Sequence, residues 1–248
     1  MKKSLQRIAS SELGRGISLW SYGHFGAPLV VFPTAAGFAH EWEAQGMVET
    51  LAPWIDGGRI KLYCPESNVA EAWTRRENDP AWRIQRHIAY ERWVVGTLVA
   101  HIRQDCNSND LRIAVTGASL GAFYAANMAL KFPEVFDWAL CMSGRYAMTH
   151  FTNGFANGDV YFNNPLAYVP NLAGEALDRI RRNTRLVLVC GQGAWEEGCI
   201  DETQALADHC QRLGIPHERD IWGSEVSHNW VWWKRQVQHH LGRRFGAP

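Results

Sequence analysis

The chain reads as an α/β protein: a mostly parallel sheet with an antiparallel edge hairpin and helices on both faces. Three observations predict this. Short β-rich runs alternate with helical patterns almost from end to end, which is the order that builds parallel sheets. Several of the runs are continuously apolar, as strands covered on both faces are. The first two runs have no helix between them. In order, the runs are ISLWSY at 17–22, PLVVFP at 28–33, IKLYCP at 60–65, LRIAVTG at 111–117, DWALCMS at 137–143, RLVLVCG at 185–191 and HERDIWG at 217–223. Helical patterns lie between and after them at 41–55, 82–105, 119–131, 173–182, 199–213 and 229–242. The turn YGHFGA, Tyr22 to Ala27, joins the first two runs and predicts their pairing as the edge hairpin. Residues 144–172 are rich in Asn, Gly, Tyr and Phe without clear periodicity, and predict a loop segment that covers a site.

At 248 residues with 46% hydrophobic content, the whole chain, 1–248, suits one domain with one core. Lys plus Arg and Asp plus Glu both number 25, so no broad field gathers nucleic acid or an anionic membrane, and neither is expected as a partner. The opening MKKSLQRIASSELGRG is polar where a signal peptide needs an apolar run of roughly 7 to 15 residues, which predicts a cytoplasmic protein. No stretch approaches the roughly 18 consecutive apolar residues of a membrane span. Cysteines 64, 106, 141, 190, 199 and 210 are scattered without a C-x-x-C pair, and read as free thiols rather than a disulfide frame or metal site. Nothing in the sequence calls for a cofactor or sets the oligomeric state.

The stretch TGASLGAFYAANMALKFP, Thr116 to Pro133, carries the chemistry. Its GASLG has the G-x-S-x-G spacing of the nucleophile elbow in α/β-hydrolases, a sharp strand-to-helix turn that exposes the serine. RIAVT is an apolar strand leading into Gly117, and the residues after Ser119 have small and apolar side chains at helical spacing. Both halves of the context that the motif requires are therefore present. A helix starting at Ser119 would also aim free N–H groups at the reacting centre.

A serine hydroxyl is a weak nucleophile at neutral pH, so an imidazole must take its proton and a carboxylate must orient that imidazole. The fold's chain order is Ser, then Asp or Glu, then His. His228, in WGSEVSHNWVWWKRQ, lies between the last strand and the last helix and is the expected base. The acid should follow RLVLVCG, where QGAWEEGCIDE offers Glu196, Glu197, Asp201 and Glu202. Proximity to the strand end favours Glu196, with Glu197 and Asp201 as alternatives; Asp201 and Glu202 also suit the first turn of a helix for dipole reasons alone.

An oxyanion hole needs two N–H donors aimed at one oxygen. The Leu120 amide is the first, by its place after the serine. The second is expected from FPTAAGFAHEWE, where small residues allow close backbone approach; Ala36 is favoured and Ala35 is the alternative.

These residues, with YGHFGAPLVVFPTAAG, VYFNNPLAYVPNL, VCGQGAWEE and WGSEVSHNWVWW, resemble the esterases of the α/β-hydrolase superfamily, in the group that contains S-formylglutathione hydrolases, feruloyl esterases and mycolyltransferases. The resemblance spans nearly the whole chain and implies the α/β-hydrolase fold. In that group the acid follows a short G-x-x-acid loop, which Gly193-Ala194-Trp195-Glu196 matches, and the His-Asn-Trp of 228–230 is similar to the group's H-x-W pattern. Two features depart from the wider superfamily: T-A-A-G stands where many lipases have His-Gly-Gly, and a Glu stands where Asp is commoner.

Of the twelve tryptophans, most sit where helices and strands pack. Trp42, Trp73, Trp195 and Trp230 fall beside loops at the expected C-terminal end of the sheet, where open sheets bind ligands. Trp42, Trp195 and Trp230 are expected to line an acyl pocket. The expected activity is serine-dependent hydrolysis of small or medium acyl esters through an acyl-enzyme, without metal or cofactor. Alternatives are acyl transfer or thioester hydrolysis with the same triad, or a non-catalytic binding protein on this scaffold.

Overall fold

A computed structural model describes residues 1–247. Strands β1 (Lys3–Ser10), β2 (Arg15–Tyr22) and β3 (Ala27–Phe32) come first, followed by short helices α1 (Glu41–Ala44), α2 (Met47–Thr50) and α3 (Ala52–Asp56). Then follow β4 (Ile60–Pro65), α4 (Pro80–Trp93), α5 (Val99–Asp105), β5 (Ile113–Ala118), α6 (Leu120–Lys131) and β6 (Phe136–Met142). The remaining elements are α7 (Gly158–Tyr161), α8 (Pro165–Tyr168), α9 (Gly174–Asn183), β7 (Arg185–Cys190), α10 (Cys199–Arg212), β8 (His217–Ile221) and α11 (Trp230–Phe245). One eight-stranded sheet runs in the order β1-β2-β4-β3-β5-β6-β7-β8. β3 to β8 are parallel; β1–β2 and β2–β4 are antiparallel. The expected mostly parallel sheet with an antiparallel edge is what forms.

The edge pairing differs from the sequence reading. The runs flanking YGHFGA do not pair with each other: β2 pairs with β1 and β4, and β3 lies on the far side of β4, paired Ala27↔Ile60. The turn therefore crosses over β4. Burial explains the choice, because β3 is apolar and buried along nearly its whole length and needs a neighbour on each side, whereas β2 is half buried and suits a place next to the edge. The edge strand on this side is β1, KSLQRIAS, whose residues are mostly exposed. Its lysine and arginine suit an edge that must not pair with another chain.

Apolar residues form two cores, one on each face of the sheet, in place of the single core expected from composition, because the continuous sheet separates them. One packs α4, α5, α6 and α10 onto the sheet; the other packs α1, α2, α3 and α11. The helical pattern at 41–55 breaks into α1, α2 and α3 at Gly46, whose φ is 71°, and at the α2–α3 junction. Single π-helical turns occur at Ala70–Thr74 and Val94–Leu98.

Residues 144–172 are not irregular throughout. They hold α7, α8 and two 3-10 turns, and are pinned to the helices beneath by buried polar groups. Asn163 Oδ1 accepts from Asn127 Nδ2 at 3.0 Å and Lys131 Nζ at 2.8 Å and lies 3.1 Å from His87 Nε2, while the Arg83 guanidinium donates to the carbonyls of Ala72, Trp73 and Phe151. Burial drives the His87 imidazole down to about 3, so it is neutral. Among the described residues all six cysteines are free thiols, and no helix is long and apolar enough to cross a membrane.

Candidate active site

β5 ends in Gly117-Ala118, and the chain reverses into α6 at Ser119. Ser119 has φ 57° and ψ −123°, a conformation that a residue with a Cβ adopts at a cost of roughly 1–3 kcal/mol and that the surroundings must impose. Its N–H donates to the Met142 carbonyl at 2.9 Å, and its carbonyl accepts from Ala122 N at 3.1 Å. The flanking glycines are required by contact: a Cβ on Gly117 would lie 2.4 Å from the Gly121 carbonyl carbon, and one on Gly121 would lie 2.3 Å from the Phe32 carbonyl oxygen. The elbow is therefore clamped between its own helix and β3. Ser119 is partly exposed, and Leu120 begins α6, so its N–H has no partner within the helix.

The loop after β7 carries Glu196, 1% exposed, and the loop after β8 carries His228. Glu196 Oε2 lies 3.1 Å from His228 Nδ1, which leaves Nε2 as the ring nitrogen available to a substrate-side proton. The other three carboxylates go elsewhere. Glu197 and Asp201 are exposed, and Glu202 accepts from the Tyr146 and Ala147 amides and from Arg145. Trp195, just before the acid, has φ 67° and is 81% exposed. The turn back through Gly193, whose N–H donates to the Val226 carbonyl, and the His228 N–H bond to the Ala194 carbonyl at 3.0 Å tie the two loops together. Among the described residues no hydrogen bond joins the Ser119 hydroxyl to His228; such bonds commonly tighten only with substrate bound.

Several residues that the sequence does not single out surround Glu196. Ser143, at the end of β6 with φ 51°, donates its hydroxyl to Glu196 Oε1 at 2.5 Å and accepts from Trp233 Nε1 at 3.0 Å. The Gly191 N–H and the Cys190 thiol also approach the carboxylate, each at 3.4 Å. The Trp233 ring packs edge-on against the His228 imidazole, centroids 4.9 Å apart. Cys199 Sγ is 4.0 Å from His228 Nδ1. Only the small residues in the M-S-G at the end of β6 hinted at Ser143, and that signal is weak.

On the other side of Ser119, the loop after β3 makes a turn from Thr34 to Gly37, closed by Gly37 N–H to Thr34 carbonyl at 3.1 Å. Ala35 and Ala36 are exposed at its tip. The Ala36 N–H has a long 3.4 Å contact to Thr34 Oγ1, whereas the Ala35 N–H has no partner among the described residues. Glu41 anchors the turn by accepting from Thr34 N at 2.7 Å and Thr34 Oγ1 at 2.5 Å. Burial holds the Glu41 carboxyl above its usual range, against the opposing pull of the Thr34 bonds. Beside this turn opens a cleft of about 770 Å³, bordered by Trp20, Ala36, Gly37, Phe38, Ser67 and Val69 among others.

The tryptophans divide. Trp42 is 1% exposed and belongs to the core under α1, so its assignment to an acyl pocket is corrected: the helix turns its apolar face to the sheet. Trp73 is likewise fully buried. Trp230 is half buried and stacks edge-on with Trp233, centroids 5.1 Å apart, and Trp195 is free at the surface.

The family model described as "Putative esterase" matches residues 64–243. No curated protein matches the chain. Solved structures with the same fold include a ferulic acid esterase (14% identity, TM-score 0.74, 98% of this chain and 97% of that one). MPT51 of Mycobacterium tuberculosis is similar at 17% identity and TM-score 0.74, over 100% and 99% of the two chains. An S-formylglutathione hydrolase from Agrobacterium tumefaciens is similar at 16% identity and TM-score 0.70, over 98% and 95%. With its eight-stranded α/β-hydrolase sheet and a family match across most of its length, the chain belongs to the Putative esterase family and is an ester hydrolase.

Proposed function

We propose that the chain hydrolyses small or medium carboxylic esters through an acyl-enzyme on Ser119, with His228 as general base and acid and Glu196 as the orienting carboxylate. The observation that carries this reading is the 3.1 Å contact of buried Glu196 with His228 Nδ1, with Glu196 held by Ser143, next in the chain to Met142, whose carbonyl accepts from the Ser119 N–H. With Nδ1–H donated to Glu196, His228 Nε2 accepts the Ser119 proton as Oγ attacks the ester carbonyl. The tetrahedral oxyanion is held by the Leu120 N–H and by the Ala35–Ala36 turn; the sequence favours Ala36, and the Ala35 N–H, the alternative, has no other partner among the described residues. The C–O bond to the leaving alcohol breaks as Nε2–H gives it the proton. Water then enters by the same route in reverse, releasing the acid and restoring Ser119.

The cleft beside the turn, with Trp20, Phe38 and Val69, suits an apolar or aromatic substrate group, and Trp195 and Trp230 border the acid–histidine side. Residues 144–172 flank that side, where Arg145 lies against Gly198. The six free thiols fit a reducing compartment such as the cytoplasm. Transfer of the acyl group to an alcohol or thiol in place of water uses the same groups and is the second reading.

The test is hydrolysis of p-nitrophenyl esters from acetate to decanoate by wild type and Ser119→Ala. Rates that peak at one chain length and fall by about 10⁴-fold or more in the variant are expected. Equal rates in both proteins would remove Ser119 from the mechanism. Activity that appears only with an added alcohol or thiol would favour transfer.

A further inference from the structure

Beyond the nucleophile and its partners, the acid loop places a thiol beside the base. Cys199 opens α10 three residues after Glu196, and its Sγ lies 4.0 Å from His228 Nδ1, the same nitrogen that faces Glu196 Oε2 at 3.1 Å. One sulfur, one nitrogen and one oxygen therefore converge, with all three atoms within 4.8 Å of one another. A tetrahedral zinc-like ion with about 2.3 Å to sulfur and about 2.0–2.2 Å to nitrogen and oxygen holds such pairs roughly 3.4–3.6 Å apart. The S···N distance would close, and the N···O distance open, by only a few tenths of an ångström. A second thiol, Cys190, stands 3.4 Å from the same Glu196 oxygen, within reach of a fourth position.

We propose that Glu196, Cys199 and His228 form a site for a borderline-soft divalent cation such as Zn²⁺ or Cd²⁺, and that its binding switches the hydrolase off. The inhibitory consequence rests on the triad reading above; the binding itself does not. The donor set of thiolate, imidazole and carboxylate selects such ions over Mg²⁺ and Ca²⁺, which prefer all-oxygen shells. Glu196 and Cys199 are buried and His228 is partly open to solvent, so the imidazole edge is the side from which an ion would arrive. On binding, the Cys199 thiol releases its proton to solvent and forms the S–metal bond, and the imidazole moves its proton from Nδ1 to Nε2 as Nδ1 takes the metal. The base is then lost twice, since Nδ1 no longer faces a free carboxylate and protonated Nε2 cannot accept from Ser119.

The experiment is titration of the folded protein with Cd²⁺, read both by the ultraviolet thiolate-to-cadmium charge-transfer band and by p-nitrophenyl acetate hydrolysis. Cys199→Ser and Cys199→Ala run in parallel, each normalised to its own metal-free rate. The expected result is one equivalent of band in wild type with loss of turnover, reversal by EDTA, and no effect of Mg²⁺. Both variants should lack that band and need at least about ten-fold more Cd²⁺ for half inhibition. A band of wild-type size in both variants, or inhibition at the wild-type concentration, overturns the site. If wild type hydrolyses no ester, the band and its loss in the variants still decide the metal site, so a failure of the esterase reading shows separately.

Discussion

On the β6–β8 side of Ser119 the polar groups are buried and paired, while on the β3–β4 side the backbone is exposed and faces a cleft. Glu196 is met by Ser143, His228, Cys190 and Gly191, and Trp233 holds both Ser143 and the His228 ring. The Thr34–Gly37 turn is held at its two ends, by Glu41 on Thr34 and by the Ser67 N–H, which donates to the Gly37 carbonyl at 2.9 Å, and Gly37 lies against Val69, while Ala35 and Ala36 between them stay exposed. On the proposed mechanism the difference follows from the tasks: a proton relay tolerates little displacement and is fixed from several directions, whereas a surface that receives varied acyl groups keeps free donors and open space.

The comparison can be broken from either side. Glu196→Gln should keep the loop shape but lose the charge that orients His228, lowering kcat by about 10⁴-fold with little change in KM. Stopped-time assays of both parameters check it, and a loss under ten-fold would put the acid elsewhere. Trp42→Ala should act on the other flank as a core deletion, costing about 3–5 kcal/mol in urea unfolding, because the residue is packing and not pocket. A stable variant with altered chain-length preference would restore its pocket role.

Smaller effects sharpen the contrast. Ser143→Ala removes one donor from Glu196 and leaves Trp233 Nε1 without its acceptor, a loss of about 1–3 kcal/mol that should appear as roughly a 5- to 150-fold fall in kcat while the fold persists. An unchanged rate would make Ser143 a packing residue only. The smallest effect is a slope. The folded state binds the Glu41 proton more tightly than the unfolded chain, so this group's contribution to stability is complete below its ordinary value near 4.5 and is lost as pH rises through the raised folded value. Glu41→Gln deletes that slope, and wild type should lose stability relative to the variant as pH rises from about 4 to 7. Parallel urea midpoints that keep a constant difference across this range would contradict the buried, raised carboxyl.

Much of this architecture was readable in the sequence, because continuous apolar runs and the G-x-S-x-G context are strong local signals. The positions of β3 to β8 and of the longer helices agree with the apolar runs and helical patterns to within a few residues. Of the site residues named from the sequence, Glu196 and His228 lie 3.1 Å apart in the structure, and Glu196 is named through its proximity to a strand end. Strand β1 was not, because an exposed edge strand of Lys, Gln, Arg and Ser has no apolar alternation to read. The expected hairpin does not form because a turn between two strands says that they are close in sequence, not that they are neighbours in the sheet. The Ser143–Glu196 contact is not legible in the sequence because it joins side chains 53 residues apart. Trp42 is buried and not at an open pocket because its loop neighbours say nothing of which way a short helix faces.

The central claim is that Ser119 is the activated nucleophile. Intact mass and peptide mapping after treatment with a fluorophosphonate test it most directly, since the hydroxyl must displace fluoride only if His228 accepts its proton. The account predicts one covalent label per chain, on Ser119, absent in Ser119→Ala and strongly slowed in Glu196→Gln. A folded wild-type protein that takes no label, or takes it on another residue, would contradict it.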